Sequence, residues 1–179
     1  KGLLGSQDFS LKVKDLLGGR KIVAMINLDM IGCMPNGVVH LMGAGSSREF
    51  AAVLDASAQK TQLRWEDKGY IPLSDHHHFY KLKIPCLFAF CGIDEDYHGP
   101  NDECEKLNYN GMKDVSIFLT DIVRRLTDND MKLIFSEIQQ NVIDHSIKII
   151  KKSTSTLRYG FDFNDQYENT YCSIKTKEK

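Results

Sequence analysis

Two short, almost uninterrupted apolar runs constrain this chain more than any other feature of it. One is Ile22-Val23-Ala24-Met25-Ile26-Asn27-Leu28, the other Cys86-Leu87-Phe88-Ala89-Phe90-Cys91. Runs of this length and apolarity fit strands covered on both faces, as in sheets sandwiched between helices. The first delivers Asp29. The second, after a short acidic turn, delivers Tyr97-His98-Gly99-Pro100-Asn101-Asp102. Ligands and catalytic groups gather outside the carboxyl ends of strands in open α/β sheets. A carboxylate and an imidazole placed there point towards zinc-type coordination, although two ligands do not complete such a site.

The segments between these runs extend the same pattern. Residues 6–17 read as a helix capped by Ser6 and stopped by Gly18-Gly19. Pro35-Asn36-Gly37 marks a turn into a strand over 38–42. A helix is expected near 48–59, a strand over 62–66, and a short helical segment from Pro72-Leu73-Ser74-Asp75 to about residue 83. Met112, Val115, Leu119, Ile122 and Leu126 fall at helical spacing, which predicts a helix over 105–126. This order implies an α/β fold with a mixed, mostly parallel sheet flanked by helices. Residues 1–126 form the expected domain. A further amphipathic helix is expected within 127–152, from Met131 on, and a polar, mobile tail over 153–179.

Composition narrows the function classes. With 179 residues and a net charge of -1, the chain suits one domain and offers no basic face for nucleic acid or anionic lipid. No stretch approaches the roughly 20 apolar residues of a membrane span. The five cysteines form no C-x-x-C pair, which argues against a thiolate zinc site. Gly43-Ala44-Gly45 lacks the P-loop lysine and the dinucleotide fingerprint, so it reads as a plain strand-to-helix turn. No Gly-x-Ser-x-Gly elbow is present, which leaves metal-assisted hydrolysis as the leading enzymatic option.

The candidate residues carry alternatives. A carboxylate such as Asp29 at the end of a buried strand needs a metal, an Arg partner or backbone N–H donors. His98, among Asp94, Glu95, Asp96 and Asp102, is either a metal-bound imidazole with Asp102 as its acceptor or a surface histidine in a solvated acidic loop. In His76-His77-His78 consecutive rings cannot share one helical face, so a polar patch lining a cleft fits better than a ligand set.

Taken together, Asn27-Leu28-Asp29-Met30-Ile31-Gly32, Ser74-Asp75-His76 and Tyr97-His98-Gly99-Pro100-Asn101-Asp102 resemble the co-catalytic di-zinc aminopeptidases. Aminopeptidase Y and the bacterial leucyl aminopeptidases belong to that group, and glutamate carboxypeptidase and the transferrin receptor are its distant relatives. Gly2-Leu3-Leu4-Gly5-Ser6, Ile84-Pro85 and Lys106-Leu107-Asn108-Tyr109-Asn110-Gly111-Met112 fit the same family, and the likeness covers about residues 2–126.

The resemblance implies a zinc exopeptidase-like fold, present here as a partial domain, and removal of N-terminal residues from peptide substrates. It implies two zinc ions, with Asp29 on one and His98 on the other. Asp102 would support His98, and Ser74, Asp75, His76 and Tyr97 would lie near the substrate cleft. The family's His-x-Asp motif and its Glu-Glu pair, which supplies the general base, are expected upstream of Lys1, so the chain holds no catalytic base and is expected to be inactive alone. The family also implies a secreted, periplasmic or cell-envelope location. The alternatives are a non-catalytic binding or assembly domain of the same fold, and a glutaminyl cyclase-like enzyme. Oligomeric state is not legible.

Overall fold

The computed structural model describes residues 3–34, 37–93, 96–97, 99–128, 131–139, 159–162 and 173–176. In chain order it contains α1 (Leu4–Leu16), β1 (Met25–Leu28), β2 (Val38–Met42), α2 (Phe50–Thr61), β3 (Arg64–Asp67), α3 (His76–Lys81), β4 (Cys86–Phe90) and α4 (Tyr109–Asp128). Residues Tyr159–Asp162 (β5) and Ser173–Thr176 (β6) pair antiparallel as a separate ribbon; otherwise the predicted tail lies outside the described residues.

The main sheet has the order β1-β4-β2-β3. β1 and β4 run parallel, as do β2 and β3, while β2 and β4 are antiparallel. This is the mixed, mostly parallel sheet that the sequence predicts. β4 lies between β1 and β2, and all of its residues but Phe90 are buried. Alternation of side chains then sorts its residues between two layers. Leu87 and Ala89 join the core under α2 and α4, with Val39, Leu41, Phe50, Leu54 and Phe118. Phe88 faces the other layer with Met42 and Ile71, where Phe9 of α1 meets Phe79 of α3 at 6.2 Å between ring centroids.

The long helix α4 follows from its spacing. Val115, Phe118, Leu119 and Ile122 fall at i, i+3, i+4 and i+7 and are all buried. Each contributes roughly 1.5–3 kcal/mol of apolar burial. Asp121, on the same helix, ties α4 to α2: Lys60 and Arg125 both donate to its carboxylate. Those two partners hold its pKa down at about 2.

Two expectations are corrected. The run over 22–28 is not covered on both faces. Only Met25–Leu28 form the strand, β1 is an edge among the described strands, and Val23 and Leu28 are 55% and 47% exposed. Beside it lies an apolar groove of about 760 Å3, lined by Leu17, Ile22, Val23, Ile26, Val123 and Leu126 among others. The predicted helix from Met131 does not form over 131–139, which carry no regular secondary structure. Met131, Leu133 and Phe135 are partly buried there, while Lys132, Ile134 and Ser136 are exposed. That stretch satisfies a period of 2 as well as 3.6, and packing against the domain selects the former. Residues 140–152 lie outside the described residues.

Gly43 closes β2 with φ +84°, and a Cβ there would sit 2.5 Å from the Cys86 carbonyl oxygen. Gly43→Ala is expected to destabilise the fold by about 2–4 kcal/mol, from left-handed strain plus overpacking against backbone. Urea unfolding of the variant measures this; a midpoint equal to that of the parent would contradict it.

Candidate metal centre

Asp29 leaves the carboxyl end of β1 with its backbone N–H donating to the Ala89 carbonyl at 3.2 Å, so strand pairing itself fixes where the carboxylate starts. Side-chain alternation places Asn27 and Asp29 on the same face of the strand. Ser74, just before α3, sits between them. Its hydroxyl donates to Asp29 Oδ2 at 2.9 Å and accepts from Asn27 Nδ2 at 2.7 Å. Asn27 and Ser74 are buried, at 8% and 5% exposure, whereas Asp29 is exposed. One carboxylate oxygen is therefore oriented by a buried relay. The other, Oδ1, carries no hydrogen bond or ion pair among the described residues. Of the three partners the sequence allows for Asp29, an Arg is absent among the described residues.

The chain turns sharply after Asp29, with Met30 in the left-handed region at φ +57°. Asn108 secures this turn and α4 at once. Its N–H donates to the Gly32 carbonyl at 2.9 Å, and its side-chain oxygen accepts from Gly111 N–H at 2.9 Å, a helix N-cap. Gly32 is tightly covered, since a Cβ would lie 2.6 Å from Leu107 Cδ2. The Leu107-Asn108 segment thus braces the Asp29 turn.

The second candidate ligand, His98, lies outside the described residues, as do Asp94 and Glu95. Its neighbours are placed. Gly99 N–H donates to the Asp96 carbonyl at 2.6 Å. Lys106 pairs with Asp96 at 2.6 Å. Tyr97 is half-buried, and Asp102 is exposed with its N–H on the Gly99 carbonyl. Because β1 and β4 are parallel neighbours, Asp29 and the 97–102 loop follow strands that end on the same edge of the sheet.

The histidine run divides by helical geometry. Asp75 is exposed at the start of α3. His76, expected near the cleft, is instead fully buried: its ring stacks on Phe88 at 4.7 Å and meets Tyr70 edge-on at 5.3 Å. Neither ring nitrogen has a hydrogen-bond partner of good geometry among the described residues. Burial, reinforced by His77, pushes its pKa down to about 3, with only the Ile71 backbone opposing. Tyr70 Oη lies 2.9 Å from His77 Nδ1, and burial, Lys81 and His78 lower His77 to about 4. Both imidazoles are neutral in the folded protein at neutral pH.

The donor chemistry of Asp29 fits a zinc ligand: a carboxylate at a strand end, one oxygen held by a hydroxyl and the other open. Among the described residues no group of three or more His, Cys, Asp or Glu side chains converges. The relay itself is testable without metal. Ser74→Ala strands a buried Asn27 donor, so it is expected to cost about 1–3 kcal/mol in chemical denaturation. An unaltered midpoint would show that the relay holds nothing.

A mixed, mostly parallel sheet flanked by helices, with a carboxylate oriented at one strand end, defines an α/β protein with a candidate site at its strand ends. Residues 1–123 match peptidase family M28, and the chain belongs to that family. Among solved structures it is similar to the LapA aminopeptidase of Legionella pneumophila, at 18% identity over 70% of this chain and 36% of that one, with a TM-score of 0.59. It is also similar to BSAP, a zinc aminopeptidase from Bacillus subtilis, at 20% identity over 77% of this chain and 36% of that one, TM-score 0.57. A third likeness is to the aminopeptidase from Aneurinibacillus sp. strain AM-1, at 22% identity over 77% of this chain and 32% of that one, TM-score 0.56. The chain thus spans about a third of the length of these structures, and the likeness concerns the fold. None of the curated proteins matches this sequence.

Proposed function

We propose that this chain supplies the Asp29 and His98 side of a zinc-dependent aminopeptidase site that removes N-terminal residues from peptides. The observation that carries the reading is the Asn27–Ser74–Asp29 relay at the carboxyl end of β1, on a chain that matches a peptidase family. Asp29 Oδ1 would face one ion, and His98, supported by Asp102, the other. When bound, zinc supplies a water of lowered pKa and polarises the scissile carbonyl.

This chain's own residues do the positioning. Ser74 and Asn27 fix the carboxylate's rotation and the Gly32–Asn108 contact fixes the turn behind it. Tyr97, Asp75 and Asp102 would lie near the peptide's amino terminus, as the family resemblance implies. The remaining ligands and the general base belong to a segment carrying the His-x-Asp and Glu-Glu motifs. β1 supports that assignment, because its outer edge is open among the described strands and a parallel strand laid there would end beside Asp29.

The test is zinc titration by calorimetry and hydrolysis of an aminoacyl-p-nitroanilide. The 179-residue chain is expected to bind zinc weakly, to lose that binding in Asp29→Ala, and to hydrolyse nothing until the complementary segment is supplied. Metal-dependent turnover by the 179 residues alone would overturn the placement of the base. Absence of any zinc binding, with or without that segment, would favour an assembly domain of the same fold.

A further inference from the structure

Residues 131–139 lie beyond the family match, which ends at residue 123, yet they are bound into the domain. Three alternate N–H groups of this segment donate into the domain. Ile134 donates to the Glu49 carboxylate at 3.3 Å, Ser136 to the Ser46 carbonyl at 2.8 Å, and Ile138 to the Tyr80 hydroxyl at 2.7 Å. Such alternation is what an extended chain presents to a surface. Ile138 is buried at 9% exposure, and Phe135 meets Tyr80 edge-on at 5.1 Å.

Two of the sites gripped, Ser46 and Tyr80, are structurally sensitive. Ser46 Oγ accepts from Cys86 N–H and donates to the Cys86 carbonyl, anchoring the first residue of β4. Tyr80 belongs to α3 and lies tilted against Tyr70, with ring centroids 4.3 Å apart, and the Tyr70 hydroxyl reaches His77. The α3 helix is only six residues long, too short to persist unaided. Its leading turn begins at Ser74, whose carbonyl accepts from His77 N–H at 3.0 Å and whose hydroxyl orients Asp29.

We propose that residues 131–139 form a C-terminal strap whose grip on Tyr80 holds α3 in place, making Phe135, Ile138 and Tyr80 positioning residues for the Asp29 carboxylate. The importance given to Asp29 rests on the function proposed above; the strap's action on α3 does not. The structural domain then ends beyond residue 139 instead of near the end of the family match.

Amide exchange by NMR on the full 179-residue chain tests this without metal. Ile138→Pro deletes the N–H that Tyr80 accepts, and Tyr80→Phe deletes the acceptor while keeping the ring. Both are expected to speed exchange of the α3 amides, and of the buried Asn27 side-chain amide, by at least about tenfold, with α2 and α4 unchanged within about twofold. Ile138→Val keeps the N–H and is expected to leave α3 protected. A uniform rise in exchange across all helices would reduce the strap to a general stabiliser and overturn the proposal. Unchanged α3 protection in Tyr80→Phe would overturn it too. Failure of zinc binding would leave these readouts untouched, so the two ideas fail separately.

Discussion

Acidifying the protein from about pH 7 to about pH 4 is expected to destabilise it by several kcal/mol, with His76 and His77 as the main cause. Unfolded, each imidazole takes up a proton near its ordinary 6.5; folded, His76 does so only near about 3 and His77 near about 4. Between those limits the unfolded chain binds more protons. Stability is therefore full above about pH 6.5, falls as the pH drops, and levels off below the folded values. Each fully coupled proton contributes a slope of about 1.4 kcal/mol per pH unit, and the partial exposure of His77 softens its share.

The groups around these rings do not offset the effect. Tyr70, Tyr80 and Cys86 are neutral across this range, and Lys81 and His78 oppose further positive charge. Glu49 and Asp121, each held near about 2, lose their charges only below the window. Urea midpoints measured across the range test the slope. His76→Phe, which keeps the stacking on Phe88 and removes the orphaned nitrogens, is expected to reduce it by about half. A slope unchanged in that variant would sink the assignment.

Replacing Asp29 by Ala is expected to weaken zinc binding by more than about 100-fold, above the 10–100-fold typical of losing a mere hydrogen-bond partner of a ligand. With the proposed aminopeptidase site completed by its other segment, kcat/KM should fall as well. Folding should hardly change, since Asp29 is exposed and its side chain makes one hydrogen bond among the described residues. A cost of no more than about 1 kcal/mol is expected, from the Ser74 hydroxyl left without its acceptor. The split between the two measurements is decisive. Unaltered zinc affinity would remove Asp29 from the metal site, and an unfolded Asp29→Ala chain would make the carboxylate structural.

Much of this was readable from residue order. The run over 86–91 demanded a covered strand, and β4 is one. Helical spacing from Met112 to Leu126 located α4, and its start at Tyr109 instead of 105 follows from Asn108, whose cap geometry depends on a fold-back to Gly32. Asn27 is a further legible signal, a lone amide in an apolar run, two residues before Asp29 and on the same face. The run over 22–28 misled because apolarity cannot say which neighbour covers a strand. Residues 131–139 misled because their apolar positions satisfy two periods at once.

What the sequence determined by itself was the local chemistry: two apolar strands, the residues that follow them, and the helices between, all consequences of spacing along the chain. Tertiary structure decided everything that depends on distance across it. It set β4 between β1 and β2, brought Ser74 onto Asp29 across 45 residues of chain, buried the imidazole of His76, and drew residues 131–139 out as a strap. The physical reason is the same in each case. Periodicity fixes which way a side chain points from its own backbone, but hydrogen bonds, burial and pKa depend on what another part of the chain places opposite it.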